Sequence, residues 1–355
     1  MGTPRLDRLD RNFIINGAME YWQRVAGNVT TVNTAANVQT FTSDRFFHYS
    51  EGPTVKNYSV ARNVSVPTVA QAGYAFPFSR RFTCLTTLTS PAAGDRVIPH
   101  HYTIEGTDCR LLLGQISTFG FWVNCSLAGT YPVNFMTNGG TRTYMTTFNI
   151  GAGEVNTWVF RTFTLQFENN IPTDNGPGIY IRIGGHSGST FRTATVGAWQ
   201  AGNFDCTTTS TNIMSVANAR MDITGVQLVL GSVLTAGSFS LAGRDLAGEL
   251  QLCQRYFEKS YEVNTAPGSA TASGSTGVRG INGSPYHYTP FCTWKRAAPV
   301  IVLYDWAGAA NRIRTNGINN VVLNGVIDNQ VGSFLVAHNI TSGEIFFHWT
   351  ADAEI

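Results

Sequence analysis

The chain has 355 residues, with 24 Lys and Arg against 22 Asp and Glu, a formal net charge of +2, and 43% hydrophobic residues. That balance excludes the basic footprint of a nucleic-acid-binding domain and the high-charge, low-hydrophobicity composition of a disordered chain. Charged residues make up only 13%, against about a quarter in average domains, so Thr, Ser, Asn and Gly fill the polar positions, as suits solvated sheets with many turns.

In chain order, the opening "MGTPRLDRLDR" alternates in charge sign and carries neither an apolar signal region nor a cleavage signature. Residues 1–11 read as a short anchoring arm. No run reaches the roughly 18 apolar residues of a membrane helix, so we expect a chain made in the cytoplasm and not inserted in a membrane. Residues 12–240 read as short alternating segments. "GIYIRIGG" sets Ile179, Ile181 and Ile183 opposite Tyr180 and Arg182, and "TFTLQF" alternates Phe163, Leu165 and Phe167 with Thr164 and Gln166. "MDITGVQLVLGS" sets Val226, Leu228 and Leu230 opposite Gln227 and Val229. Period two marks half-buried strands, and turn signals such as Asn138-Gly139-Gly140 and Asp174-Asn175-Gly176-Pro177 separate them. Many strands without intervening helices predict an all-β fold, here a large antiparallel jelly-roll sandwich.

Residues 241–262 predict one amphipathic connecting helix. Asp245 is its N-cap, Lys259 complements the dipole at its end, and Leu246, Leu250, Cys253 and Phe257 recur at spacings of 4, 3 and 4. Those four fit a coiled-coil seam, which makes them the expected oligomer interface near a threefold axis; a helix capping its own sandwich is the competing reading. Residues 263–285 are rich in Gly, Ser, Ala and Thr and read as a loop. Residues 286–355 read as a second, smaller β-sandwich, ending in a strand where Ile345, Phe347 and Trp349 alternate with Phe346 and His348.

The chemistry-bearing residues are sparse. The six cysteines form no CxxC and read as small buried thiols. His100 and His101, adjacent in a strand, point to opposite faces and read as surface or rim residues. No HExxH, nucleophile elbow or phosphate loop is present. No cofactor is implied, although loop oxygens leave a structural calcium open. Asp44, Glu105, Asp174, Asp205 and Asp305 are candidates for paired carboxylates, most of them explained by turns, and Asp44-Arg45 reads as a buried ion pair. The remaining signal is aromatic. Tyr286, His287, Tyr288, Tyr304 and Trp306, with Arg312 and Arg314 nearby, form a candidate glycan-binding set, since Tyr and Trp rings stack on the C–H faces of sugars. Trp22, Trp122, Trp158, Trp199, Trp294 and Trp349 read as core.

The segments "RNFIINGAMEYWQR", "SDRFF", "LLLGQISTFGFWVNCSLAGTYPVNF", "NTWVFRTFTLQF", "GAWQAGN" and "ITGVQLVLGSV", followed by "ELQLCQRYFEKSY", occur in that order. Together they resemble a family of bacteriophage tail fibre or minor virion structural proteins whose large domain looks like a carbohydrate-binding-module jelly roll. The closing "PFCTWKRAAPVIVLYD" is similar to the start of that family's C-terminal domain, with Lys295-Arg296 where the family tends to have a Met-Arg pair. The resemblance implies a virion protein without dedicated catalytic residues, with other virion proteins as partners, a homotrimeric state and a host-surface glycan as ligand. A purely structural particle component and a polysaccharide depolymerase are the alternatives.

Overall fold

The computed structural model describes residues 11–25, 29–231, 233–280, 286–322, 325–337 and 343–355. The anchoring arm expected over 1–11 lies outside them except for Arg11, as does the end of the expected loop, 281–285. The chain divides into two units, one of Asn28–Arg244 with the segment ending at Glu20, the other of Asp245–Glu354 with Tyr21–Gly27.

The first unit is a sandwich of two antiparallel sheets. One has six strands in the order Val29–Thr34, Lys56–Asn63, Ser79–Thr86, Arg220–Leu230, Ile116–Cys125 and Val159–Gln166. The other runs Trp199–Ala201, Arg142–Ile150, Gly129–Thr137, Pro177–Ile183, Arg96–Glu105, Phe46–Glu51 and Val38–Phe41, with His186–Ser187 pairing off this path. Neighbours that are distant in sequence give the jelly-roll character. The core is aromatic and aliphatic: Phe119, Phe121, Phe135, Ile179, Ile181 and Leu228 are fully buried, each contributing about 1.5–3 kcal/mol by leaving water. The "RNFIING" segment docks on the "GVQL" strand through Phe13 N–H to Leu228 O at 2.9 Å and Val226 N–H to Gly17 O at 3.0 Å. A Cβ at Gly17 would fall 2.1 Å from Val226 O, so only glycine allows this approach.

In the second unit the ten-residue strand Gly343–Asp352 is the spine. Phe257–Lys259 and Val300–Tyr304 pair with its C-terminal part, and Thr276–Gly280 and Arg312–Thr315 with its N-terminal part. A three-stranded sheet, Tyr286–Pro290, Ser333–Ala337 and Gly325–Asn329, completes the unit. Leu303, Ile313, Phe334, Val336, Ile345, Phe347 and Trp349 form its core. Lys295 pairs with Glu258, both side chains being buried, while the same carboxylate accepts Cys292 N–H at 2.9 Å.

Four expectations are corrected here. The helix spans only Leu246–Gln254, capped by Asp245 accepting Gly248 N–H as expected, and Phe257–Lys259 is a strand. Phe257 therefore belongs to no helical seam: it and Cys253 are buried inside their own unit, Leu250 is half-buried and only Leu246 is exposed, at 47%. The ammonium of Lys259 complements no dipole, because it donates to the carbonyls of Gln23, Val263 and Thr265. The expected loop 263–285 contains the strand Thr276–Gly280. Of the six free cysteines five are buried, but Cys292 is exposed.

Candidate functional site

The outer face of the first unit's larger sheet carries a cleft of about 300 Å³. Its floor comes from three neighbouring strands. Pro177–Ile183 turns its isoleucines inward and presents Tyr180 and Arg182, as its alternation predicts. Phe46–Glu51 contributes Phe47 and Tyr49, and Arg96–Glu105 contributes Arg96 and His101. His100 and His101 do point to opposite faces, but neither is a rim residue. His100 is buried beside the Arg80 guanidinium at 2.7 Å, and His101 is only 4% exposed.

His101 stacks on Phe47 with ring centroids 4.0 Å apart and meets Tyr180 edge-on at 5.2 Å. Neither of its ring nitrogens has a hydrogen-bond partner. Burial, then the guanidiniums of Arg182, Arg96 and Arg80, hold its pKa well below the usual imidazole range, so the ring is neutral at pH 7. Tyr49 donates to Glu51, and burial with that carboxylate pushes its phenol up to about 12.

One wall is built by a segment remote in sequence. Asp205, fully buried, accepts Arg96 Nε–H at 2.6 Å, Arg96 Nη2–H at 2.8 Å and Arg182 Nη1–H at 2.5 Å. Asn203 Oδ1 accepts from the same two guanidiniums at 2.9 and 3.3 Å. Arg96 also lies 4.0 Å over the Phe191 ring. Burial works against the charge of both arginines. The Asp205 carboxylate more than offsets it at Arg96, whose pKa is raised, whereas that of Arg182 stays lowered. The wall is pinned by Asn134 Nδ2–H to Asp205 O at 3.1 Å and Thr143 Oγ1–H to Gly202 O at 2.7 Å. Gly140, at φ +68°, closes the rim, where a Cβ would sit 2.9 Å from the Asn203 amide carbon. Half-exposed tyrosine rings beside fixed polar groups suit a sugar, which presents apolar C–H faces and hydroxyls together.

The structure divides the aromatic set expected in the second unit. Tyr286 and Tyr288 are 53% and 61% exposed and face outward from one strand, opposite Ala337 and Leu335. His287, between them, turns inward to Phe347, with ring centroids 5.9 Å apart. Trp306 packs on Phe346 and carries Arg314 over its ring at 4.5 Å. Arg312 is held by Asn320 at 2.9 Å. Tyr304 meets Tyr261 in an edge contact at 6.0 Å. The structure thus brings Trp306 and Arg314 together, turns His287 inward and leaves Tyr286 and Tyr288 exposed. Trp294, read as core, is 73% exposed, and Trp199 is half-buried with its indole N–H on Gln166 O at 2.9 Å.

The candidate acids are engaged separately. Asp205 holds the two arginines. Asp174 caps Gly176 N–H at 3.0 Å. Asp305 accepts the N–H groups of Ala307, Ala309 and Asn320. Glu105 accepts the Thr107 hydroxyl at 2.9 Å. Asp44 and Arg45 are both buried, with Arg45 donating to Thr103 O at 2.6 Å. Among the described residues no three His, Cys, Asp or Glu side chains gather as metal ligands would.

No protein-family model and no curated protein matches the chain. Solved structures give distant likenesses. The enzymatically active domain of bacteriophage CBA120 tailspike protein 4 is 16% identical at a TM-score of 0.32, over 62% of this chain and 21% of that one. The match thus spans about a fifth of the tailspike chain. TmCBM61 in complex with β-1,4-galactotriose is 13% identical at 0.28, over 62% and 99%. A cyclase from Fischerella sp. TAU is 12% identical at 0.32, over 63% and 100%.

Proposed function

We propose that this chain is a non-enzymatic bacteriophage virion protein that binds a host surface glycan through the cleft of its first sandwich. The observation that carries the glycan reading is the cleft itself: Tyr49 and Tyr180 beside a buried His101 whose two nitrogens have no partner. The particle location rests on the ordered motifs from "RNFIING" to "LCQRY". In this reading the protein works by positioning rather than by covalent chemistry. The rigid sheet fixes the aromatic rings, and the Asp205 clamp fixes Arg96 and Arg182, so little ordering entropy is lost when a sugar binds.

The exposed Tyr286 and Tyr288 favour a second contact on the other unit. Their Cα atoms stand roughly 6.7 Å apart along one strand, so that both rings lie open on the same face. Attachment is tested with purified protein on an array of host-envelope glycans, together with adsorption of particles lacking the protein. Binding on the array and impaired adsorption are expected. An array without hits combined with normal adsorption would leave the purely structural role.

A further inference from the structure

We infer that the first unit is an acid switch: protonating the histidines gathered around the strand Arg96–Glu105 opens that strand and releases the ligand of the cleft. The release rests on the reading that the cleft binds glycan; the opening does not.

All four histidines of the first unit meet at this strand. His100 and His101 lie in it, while His48 lies in Phe46–Glu51 and His186 in His186–Ser187, both of which pair with it. All four side chains are buried. Arginines, not acids, surround them. Arg80 Nη1–H donates to His100 Nδ1 at 2.7 Å, and Arg192 Nη2–H to His186 Nε2 at 3.3 Å. His48 joins the two sheets through a 2.9 Å bond between its Nδ1 and the Tyr58 hydroxyl, and it faces Arg80 and His100. His101 faces Arg182, Arg96 and Arg80. Among the described residues no carboxylate bonds to any of the four rings. Asp205 takes Arg96 and Arg182, Glu51 takes Tyr49 and Arg96, Asp95 pairs with Lys56 and Asp222 with Arg81. Arg80 is fully buried and pairs with no described acid; its other donors go to Thr42 Oγ1 at 3.0 Å and to Pro99 O.

The hydrogen bonds set the direction of the switch. A guanidinium only donates, so the ring nitrogen it meets carries no proton, and the single proton of the neutral ring sits on the other. A second proton can enter only at the nitrogen facing the arginine. It would replace a hydrogen bond by two cations 2.7 Å apart at His100 and 3.3 Å apart at His186, in a core where an unpaired charge is costly. Unfolding takes the rings into water, where they accept that proton near pH 6.5. Burial, with the arginines adding to it, lowers His48 to about 3, His186 to about 4, and His100 and His101 well below the imidazole range. Folded values below the unfolded one give stability that is complete above about pH 6.5 and lost as pH falls. The same strand carries Arg96 and His101 to the cleft, and His48 sits between Phe47 and Tyr49, so opening it dismantles the cleft floor.

The test is hydrogen exchange of the intact, ligand-free protein, read by mass spectrometry at pH 7 and pH 5 and corrected for intrinsic exchange rates. Each ring held neutral in the fold raises the opening constant by about 25-fold over that interval, whereas carboxylates, titrating near pH 4, add little. Peptides from Arg96–Glu105 and Phe46–Glu51 should open about a thousandfold or more readily at pH 5. The double variant His100→Asn with His186→Gln keeps an acceptor for each arginine and takes up no proton. Its rise should be smaller by about a hundredfold or more, and His48→Gln alone should reduce the rise by about tenfold or more. A wild-type rise below about tenfold, or variants that keep the wild-type rise, would overturn the switch. On the array of host-envelope glycans, protein held at pH 7 should be released by a wash at about pH 4.5, with the double variant retained; retention of the wild type would overturn the release. An array that holds nothing at pH 7 would overturn the cleft reading, while the exchange result still decides the switch.

Discussion

Replacing Asp205 by Asn isolates the clamp that builds the cleft. The side chain is fully buried and accepts three hydrogen bonds of 2.5–2.8 Å from Arg96 and Arg182, whose own side chains are only 6% and 8% exposed. The amide keeps the volume but removes the charge, leaving two buried cations with Glu51 as the nearest acid, 3.4 Å from Arg96. Breaking a buried ion pair from one side costs about 3–5 kcal/mol. In a unit of this size each kcal/mol moves Tm by about 2–4 °C, so the first unit should melt about 6–20 °C lower. Calorimetry on the whole chain reads this directly, with the second unit's transition as internal reference. A triple variant, Asp205→Leu with Arg96→Met and Arg182→Met, removes the charges together and should recover most of the loss, because apolar replacement of a whole buried network is close to neutral. A single-variant loss below about 1 kcal/mol, or a triple variant worse than the single, would refute the reasoning.

Acid should weaken the first unit through its histidines. Burial, with Arg80 adding to it, lowers His48 to about 3, and burial with Arg192 lowers His186 to about 4. These folded values lie below the unfolded value near 6.5, so the stability they confer is complete above about pH 6.5 and is lost as pH falls toward about 3. Urea midpoints across that range should fall, and His48→Gln should flatten the slope; a flat wild-type profile would contradict this. Gly17→Ala places a Cβ 2.1 Å from Val226 O and should destabilise the same unit by about 1–3 kcal/mol or more, measured by urea unfolding. Tyr288→Ala, at an exposed position, should change stability by less than about 0.5 kcal/mol; a larger shift in its melting transition would show that the ring is packed rather than presented. Because Cys253 and Phe257 are interior to their own unit, Leu246→Glu should leave the native mass by light scattering unchanged, and dissociation of an oligomer would restore the seam.

The strand pattern was legible where alternation faces one covered and one open side. Ile179, Ile181 and Ile183 announce the core, and the same alternation puts Tyr180 and Arg182 outward. What those outward residues meet was not legible, because Asp205 and Asn203 reach them from a segment more than 20 residues away and Arg96 from further still. Phe257 fits helical spacing, but pairing with Asp352 on the spine strand overrides that local preference. Trp294 shows the converse limit: aromatic composition predicts burial on average, yet this ring sits in the connection between Tyr286–Pro290 and Val300–Tyr304 and is 73% exposed. His101 could have been singled out as the outward member of an adjacent pair, but its lack of partners depends on Phe47, Tyr180 and Arg182 converging from other strands.

Hydrogen exchange of the intact protein, read by mass spectrometry with and without saturating host-envelope glycan, tests the central claim most directly. The account predicts added protection in Phe46–Glu51, Pro177–Ile183 and residues 199–206, where the cleft lies. Protection confined to other segments, or none at a concentration that saturates binding, would contradict it.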